Sequence, residues 1–337
     1  MRNFQPGKHL VRQLHSELAA ATPGTVTAIL KRHVAPDWQW RGVHPFNEQG
    51  GAAAVADVFW IPLLSSMTKL QRRPDIFMAG LNEADGFKSC WVVQMGHFMG
   101  LLDAPWLGIS PTGRIAMLPF AEFNRVEGAR IVETAMFLDI PHLMVQAGQS
   151  PFAPQTGAHL VHPGPLTHDG LLYYEQPSEG GRATLTAINA MLNNPGAKFH
   201  APDEPWRLAR VWHDDMLWWG PEGIGASYTI ERYIKQHCLP FDDALAEGYQ
   251  SNGVDCQVAE GHFGGLFGWP ALTLRNAGGY MGMTAGPGPT EMRLVDIYRE
   301  QDGKLAENWI FIDLLHYLFV QGLDVLGRMK TFASIRG

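Results

Sequence analysis

The sequence of 337 residues is poor in the features that define several large classes of protein. It contains only three cysteines, an odd number with no Cys-x-x-Cys spacing, so neither a disulfide framework nor a cysteine metal site is expected. No apolar run approaches the roughly 18 residues of a membrane span, and the N-terminus lacks the apolar core of a signal peptide. We therefore expect a cytoplasmic protein that does not associate with membranes.

Clustered positive charge and nucleotide-binding motifs are missing as well. The net charge is −7, and lysine and arginine form no group larger than a pair such as Lys31-Arg32. A nucleic-acid partner requires a basic face, so none is expected. The sequence has no Gly-x-Gly-x-x-Gly turn that opens a helix after a strand, no Walker-type loop and, despite 14 histidines, no His-Glu-x-x-His motif. The absence of these motifs predicts a protein without a nucleotide cofactor or a metal.

Apolar and aromatic residues, in contrast, are abundant. The chain is 46% hydrophobic and only 18% charged, which is typical of a well-buried globular protein. Its 11 tryptophans and 17 phenylalanines fit aromatic-lined cavities, bulky cores or a large interface. A chain of this length most often forms two domains of about 150 residues each.

One stretch of the sequence occurs twice. Four residues of the first copy recur in the second at a constant offset of 174 positions, namely Glu133, Phe137, Asp139 and His142 as Glu307, Phe311, Asp313 and His316. Each copy begins with a glycine and continues with apolar or β-branched residues, which predicts a turn that leads into a strand. Alternate side chains of a strand share a face. We expect Glu307, Trp309, Phe311 and Asp313 to face a cavity. We expect the same of their counterparts in the first copy.

The repeat organises the whole chain. Helical patterns precede a strand meander in each half, which favours an α+β fold with antiparallel sheets. We predict domains at 1–150 and 182–337, joined by a linker at 151–181 that is rich in proline, glycine, serine and histidine. The halves are expected to pack as an intrachain pseudo-dimer, and a further homodimer of chains is left open. The faces predicted to pack together carry Met136, Leu138, Ile310 and Ile312.

Several longer motifs resemble a known family. The first half has Trp106-Leu-Gly-Ile-Ser-Pro-Thr-Gly-Arg114, then a strand, a glycine turn and Glu133…Asp139…Gln146-Ala-Gly148. The second half has Gly279-Tyr-Met-Gly, Met292–Arg299 and Asp302-Gly-Lys-Leu-Ala-Glu-Asn-Trp309…Asp313. This combination resembles the SnoaL-like polyketide cyclases of the nuclear transport factor 2-like superfamily. The second half departs from the pattern, since Gly282-Met-Thr-Ala-Gly286 replaces an intact Pro-Thr-Gly-Arg.

The resemblance implies two tandem cone-shaped barrels. In this family a curved antiparallel sheet wraps on N-terminal helices and encloses a hydrophobic pocket for a small ligand. Its best-known members close a polyketide ring by aldol condensation without a metal or cofactor. An aspartate on the last long strand acts as acid and base, and it maps onto Asp139 and Asp313.

General chemistry supports such a site. A carboxylate that faces an aromatic cavity is desolvated, which raises its pKa and strengthens it as a base. The enolate that it forms needs a donor at its oxygen. His97 is the candidate donor in the first half, and Arg275 or Asn276 in the second. Candidates for substrate binding are Glu133, Phe137, His142, Trp40, Glu307, Trp309, Phe311, His316, Trp219 and Asn276.

Three alternatives to this interpretation stay open. An aspartate at the end of a strand is commonly a turn or cap residue that accepts backbone N–H groups. The apolar pocket would equally suit a non-catalytic binding protein. A hydrolase or dehydratase on the same fold is the third alternative.

Overall fold

A computed structural model describes residues 3–193, 205–245 and 248–335. Helices precede the sheet in both halves, as the sequence predicts for a mixed α+β fold. The elements of the first half are α1 (Gln5–Ala19), α2 (Val26–His33), β1 (Val34–Gly42), β2 (Asn47–Gly50), α3 (Gly51–Val55), α4 (Ile61–Ser66), β3 (Met67–Leu81), β4 (Cys90–Leu102), β5 (Ile115–Glu127), β6 (Arg130–Leu138) and α5 (Ile140–Gln146). Among the described residues, no helix is both long and apolar enough to cross a membrane.

The second half repeats this order from residue 178. Its elements are α6 (Ser178–Leu192), α7 (Pro205–Leu208), β7 (Trp212–Trp219), β8 (Ser227–Tyr228), α8 (Ile230–Tyr233), α9 (Leu239–Leu245), β9 (Gln250–Ser251), β10 (Cys256–Glu260), β11 (Phe263–Leu274), β12 (Thr290–Gln301), β13 (Lys304–Ile312), α10 (Leu314–Val320) and α11 (Val325–Ile335). The helix α6 thus begins inside the segment 151–181 that the sequence predicts to be a linker. The domain boundaries themselves stay a prediction.

Proline interrupts the helices of both halves in the same way. Pro23-Gly24 separates α1 from α2, as predicted. The step expected at Pro62 takes the form of a π-helical turn, Ala56–Trp60, between α3 and α4. The second half has the equivalent turn, Ile234–Cys238, directly before Leu239-Pro240. A proline lacks the N–H that would continue the regular ladder, and π-turns place side chains that a regular helix would direct elsewhere.

Each half forms one strongly paired sheet. Within the described residues the strand order is β2-β1-β6-β5-β4-β3 in the first half and β10-β11-β12-β13-β7-β8 in the second, with β9 paired to β11. Most pairs are antiparallel, as predicted, but β1 pairs with β6 and β7 with β13 in parallel. These parallel pairs join strands that are distant in sequence. β1 and β7 lie among the helices at the start of their half, and long connections separate them from β6 and β13.

The two faces of each sheet have opposite roles. The inner face is covered by helices of the same half, as where Trp40 contacts Phe59 at a ring-centroid distance of 5.5 Å. The outer face meets the other half, and there Phe137 contacts Trp269 at 5.4 Å. The prediction that the two halves pack through the faces with Met136, Leu138, Ile310 and Ile312 was therefore wrong. Strand pairing places Met136 and Leu138 on the inner face, and likewise Ile310 and Ile312.

The reason for the error is physical. Strand alternation shows which residues share a face, but it does not show which face turns inward. The assignment rested on the carboxylates, which were expected to line a cavity. In the structure Glu133 contacts Arg41 and Arg125, each at 3.1 Å, so its charge is balanced by ion pairs on the outer face.

The outer faces form an aromatic contact between the halves. Phe267 of β11 lies at its centre, with ring-centroid distances of 5.5 Å to Trp91 and 5.1 Å to Phe123. At the edge of this contact, Lys8 donates to Glu260 across the two halves at 2.6 Å. Both side chains are buried, and aromatic groups of this size contribute much of the apolar area that such an interface removes from water.

Candidate functional site

Asp139 and Asp313 are helix caps that also tie the halves together. Oδ1 of Asp139 accepts the N–H of His142 at 3.1 Å, and Oδ2 accepts the N–H of Glu222 from the other half at 2.9 Å. Asp313 repeats this arrangement, since it accepts the N–H of His316 at 3.1 Å and, from the other half, the N–H of His44 at 3.0 Å. Both aspartates therefore have the cap geometry that the sequence left as an alternative.

The charge of Asp313 is strongly influenced by its surroundings. Burial raises the pKa of Asp313 to about 6, although Arg293 and the two backbone N–H groups oppose the rise. Arg293 approaches Oδ2 at 3.4 Å. Because both oxygens of Asp313 are engaged in this way, the raised pKa does not by itself give a base that faces a substrate. The catalytic role of Asp139 and Asp313 stays a prediction.

Among the described residues, His142, His159 and Glu222 place one potential metal-ligand atom each within 4.8 Å of one another. The amide of Gln146 donates to Nδ1 of His142 at 2.7 Å, which leaves Nε2 to donate to the carbonyl of Leu160 at 3.2 Å. A metal-binding imidazole presents the lone pair of an unprotonated ring nitrogen, and here the lone pair of Nδ1 accepts the Gln146 amide while Nε2 carries the proton. The rings of His142 and His159 also stack, with an angle of 18° between their planes, so their lone pairs do not converge. This geometry does not favour a metal ion.

The other predicted residues of the last strands lie on the outer faces. Glu307 pairs with Arg299 at 2.6 Å and accepts the N–H of Leu166 at 3.1 Å. Trp309 donates from Nε1 to the carbonyl of Pro163 at 3.0 Å. Strand alternation places Phe311 on the same outer face, as it places Phe137 in the first half. Glu307 and Trp309 thus contact the linker, Phe137 contacts the other half, and the structure does not gather these residues into one pocket.

The remaining candidates are dispersed. His97 lies on the outer face of β4, with Nδ1 3.5 Å from a carboxylate oxygen of Asp75. Trp40 is inside the first half, whereas Trp219 lies near the linker residue His162, at a ring-centroid distance of 6.1 Å. Asn276 braces its own loop by accepting the N–H of Gly278 at 2.9 Å.

The carboxylates that do face the interiors lie one strand earlier than predicted. They are Glu122 on β5 and Asp296 on β12, which occupy equivalent positions. Glu122 pairs with Met136, and Asp296 with Ile310, in the same register. Sequence reasoning missed both residues, although the offset of 174 positions also relates them. A carboxylate in the middle of an apolar strand was the available signal.

The carboxylate of the first half is fully neutralised. Glu122 lies 2.7 Å from both Arg72 and His15. Burial opposes the ionisation of Glu122, but the charge and hydrogen bond of Arg72, together with those of His15, outweigh it and lower the pKa to about 2. The Arg72 guanidinium lies over the rings of Phe98 and Phe120 at 4.8 and 4.7 Å. This interior is filled by a buried ion pair and aromatic rings.

The carboxylate of the second half has a different environment. Strand pairing places Ser251 where the first half has Arg72. Asn189, which lies 174 positions after His15, hydrogen-bonds to Glu83 and Gln257 instead. The partners of Asp296 are neutral: Asn308 donates to its Oδ1 at 3.0 Å, and the Tyr298 hydroxyl also hydrogen-bonds to it. Burial raises the pKa of Asp296 to about 6, and these two hydrogen bonds offset only part of the rise.

The second interior has smaller side chains than the first at four equivalent positions. Smaller side chains replace the aromatic groups that fill the first half. The equivalent pairs are Phe59 and His237, Trp60 and Cys238, Phe98 and Leu272, and Phe120 and Leu294. Tyr233, Cys238 and Asp296 are half-buried residues, whereas their counterparts in the first half are buried. The second half therefore has a carboxylate in an aromatic interior at a residue that is not fully enclosed.

A cavity of about 290 Å³ adjoins this interior. Its inner wall includes His237, Phe241 and Tyr280. The His237 ring stacks on Trp218 at 4.0 Å, and Trp218 pairs with Asn308, the residue that donates to Asp296. Burial lowers the pKa of His237 to about 3, so its ring is neutral and contributes an aromatic surface. The carboxylate and the cavity are thus separated by one layer of rings.

Comparisons with known proteins identify relatives of half the chain. No protein-family model and no curated protein matches. Among solved structures, a protein proposed to be a SnoaL-like polyketide cyclase from Jannaschia sp. CCS1 covers 46% of this chain and 98% of its own, at 18% identity and a TM-score of 0.35. A nuclear transport factor 2-like protein from Burkholderia thailandensis covers 44% and 99%, at 20% identity and a TM-score of 0.32.

A third solved structure belongs to the same group. IdmH from Streptomyces antibioticus, proposed to be a polyketide cyclase, covers 43% of this chain and 99% of its own, at 16% identity and a TM-score of 0.35. Each relative thus spans slightly less than half of the chain, while the two halves of the chain repeat one order of helices and strands. The chain is similar in fold to SnoaL-like polyketide cyclases and nuclear transport factor 2-like proteins over slightly less than half of its length, as the sequence resemblance predicts.

Proposed function

We propose that the second half is a cofactor-independent acid/base enzyme of polyketide cyclase type, which acts on a hydrophobic carbonyl compound with Asp296 as its general base. One observation carries this proposal. Asp296 is a half-buried residue in an aromatic interior, burial of its carboxyl group raises its pKa to about 6, and its hydrogen-bond partners are neutral. The equivalent Glu122 lacks this potential, because contacts with Arg72 and His15 lower its pKa to about 2 and make it a weak base.

The chemistry requires a base that is ionised and strong at the same time. At neutral pH a carboxyl group with a pKa of about 6 is mostly ionised, and it is about a hundredfold more basic than an ordinary aspartate. Asp296 would take the proton from the carbon beside the substrate carbonyl. The resulting enolate oxygen needs a donor. Burial raises the pKa of Tyr233 well above 10, so its hydroxyl stays protonated and can serve in this role.

Ring closure then needs no further group. The enolate carbon attacks a second carbonyl of the same molecule and forms the new carbon–carbon bond. The proton held by Asp296 passes to the alkoxide that results, which restores the carboxylate. Asn308 would hold the carboxylate oriented through its hydrogen bond to Oδ1.

Proton abstraction can be tested without the natural substrate. We expect the protein to accelerate the incorporation of deuterium beside the carbonyl of 1-tetralone in D2O, followed by proton NMR. The rate should rise with pH through about 6, because the deprotonated form of Asp296 is the base. Asp296→Asn should lower the rate by about 10²–10⁴-fold, which is the usual contribution of a general base.

The controls separate this proposal from its rivals. Asp139→Asn and Asp313→Asn test the two aspartates predicted from the sequence, and Glu122→Gln tests the equivalent site of the first half. If Asp296→Asn retains the rate and Asp313→Asn loses it, the base is misassigned. If the unaltered protein exchanges no faster than buffer but binds the ketone, a non-catalytic binding protein is the better description.

A further inference from the structure

The cavity of the second half has a wall that does not come from either cone. Its inner side is formed by His237, Phe241 and Tyr280 of the second half. Its outer side is formed by residues 153–156, which belong to the segment predicted to link the halves. We call residues 152–158 the strap. A half expressed without this segment would have a cavity open to solvent on that side.

The strap is fastened along its whole length. The N–H of Gly157 donates to the carbonyl of Ile224 at 3.0 Å. The backbones of Ala158 and Ala226 donate to each other at 2.8 and 2.9 Å. The Thr156 hydroxyl donates to the carbonyl of Gln236, in the π-helical turn that also contains His237. The strap is therefore hydrogen-bonded to elements on both sides of the cavity.

Close backbone packing fixes the distance between the strap and the cavity wall. A Cβ atom at Gly157 would lie 2.6 Å from the carbonyl carbon of Gly225. A Cβ atom at Gly223 would lie 2.7 Å from the Phe152 ring and 2.8 Å from the sulfur of Met281. At Gly157 the close contacts are to backbone atoms, so an added side chain would push the strap outward. At Gly223 the contacts are to side chains of Phe152 and Met281. The volume beneath the strap is thus set mainly by the backbone contact at Gly157.

The dimensions and lining define the class of ligand. The volume of about 290 Å³ lies at the lower end of the range for small-molecule sites, about 300–1,000 Å³, which suits one or two fused rings. The lining offers aromatic faces from His237 and Tyr280, and Gln155 supplies an amide. A flat apolar ring system with one acceptor oxygen matches these groups.

We propose that this cavity binds bicyclic aromatic ketones and that the strap sets the largest ring system that the cavity accepts. The inference rests on the proposed function for the class of ligand, while the cavity itself lies behind the rings of His237 and Trp218 and is not lined by Asp296. It adds a size limit and a binding surface supplied by the linker. Gly157 is then a specificity-determining residue, although its own atoms provide no recognition group.

Fluorescence titration with two ketones tests the proposal. We expect the unaltered protein to bind 2-acetylnaphthalene at least about tenfold more tightly than 2-acetylanthracene, a ratio within the range of steric discrimination by pockets. Gly157→Ala wedges the strap outward and should bring the two affinities close together. Gly288→Ala is the matched control, because a Cβ atom there meets nothing within 4 Å. It should retain the original ratio.

A second variant covers the case in which Gly157→Ala fails to fold. Thr156→Val removes the hydroxyl that donates to Gln236 but adds no bulk, so it should also relax the preference for two rings. An unchanged ratio in a folded Gly157→Ala or in Thr156→Val overturns the proposal, as does failure of the unaltered protein to bind 2-acetylnaphthalene. Asp296→Asn should keep the ratio, so the loss of deuterium exchange and the loss of ring selectivity report on separate claims.

Discussion

Asp296 gives a prediction about stability that is independent of any substrate. Its folded-state pKa of about 6 lies above the ordinary value of 3.8, so folding opposes ionisation. Below pH 3.8 both the folded and unfolded states carry the proton, and Asp296 contributes no destabilisation. As the pH rises towards 6, the unfolded state ionises first and the folded state becomes relatively less stable. Replacement by asparagine, which cannot ionise, should therefore stabilise the protein at neutral pH.

The magnitude follows from the two pKa values. Each pH unit between 3.8 and about 6 corresponds to about 1.4 kcal/mol, so the full effect above pH 6 is at most about 3 kcal/mol. Water that reaches the accessible part of the side chain reduces this figure. The asparagine oxygen can still accept the hydrogen bond from Asn308. We expect Asp296→Asn to raise the free energy of unfolding by about 1–3 kcal/mol at pH 7 and to leave it unchanged near pH 4.

Urea unfolding of both proteins between pH 4 and pH 7 measures this difference. Glu122→Gln is a matched control of opposite sign, because Arg72 and His15 lower the pKa of Glu122 to about 2. The ionised carboxylate of Glu122 stabilises the folded state fully above pH 4.5, and this stabilisation is lost as the pH falls towards 2. At pH 7 the substitution should cost about 3–5 kcal/mol, since it leaves the buried Arg72 unpaired. Equal midpoints for Asp296→Asn and the unaltered protein at both pH values would refute the reasoning.

Two further predictions concern the contact between the halves. Asp139→Ala removes the cap of α5 and leaves the Glu222 N–H buried without an acceptor. It should therefore lower the free energy of unfolding by about 2–4 kcal/mol. A loss below about 0.5 kcal/mol in denaturant unfolding would contradict the capping role. Phe267→Ala empties the centre of the aromatic contact and should cost about 3–5 kcal/mol. Ile115→Ala, at a side chain that is 65% exposed, should change the same measurement by no more than about 0.5 kcal/mol.

The sequence predicted those features that depend on local chemistry. The break at Pro23-Gly24 follows from backbone restrictions that hold in any context, and the helices end and begin there. The repeat around Asp139 and Asp313 also identified equivalent structure, because both residues cap a helix in the same way. The order of helices and strands was visible from the change in hydrophobic period.

Features that depend on the arrangement of strands were not predictable in the same way. Parallel pairing of β1 with β6 brings together residues that are distant in sequence, as Trp40 and Thr134 show. The inner or outer position of a strand face depends on which helices cover it, so Phe137 was assigned to a cavity that it does not line. Asp296 was overlooked because a lone carboxylate in a strand more often faces solvent. Only the loss of its cationic partners in the second half distinguishes it.

The paired caps have a consequence for how the two halves can change. In a dimer of identical chains every substitution occurs at both symmetry-related contacts, so a residue must suit both at once. Within a single chain the two contacts are independent. Asp139 meets the N–H of Glu222 beside His159, whereas Asp313 meets the N–H of His44 beside Arg293. Covalent fusion thus permits different side chains, Glu222 and His44, at positions that symmetry would force to be the same, while the backbone contacts remain common to both.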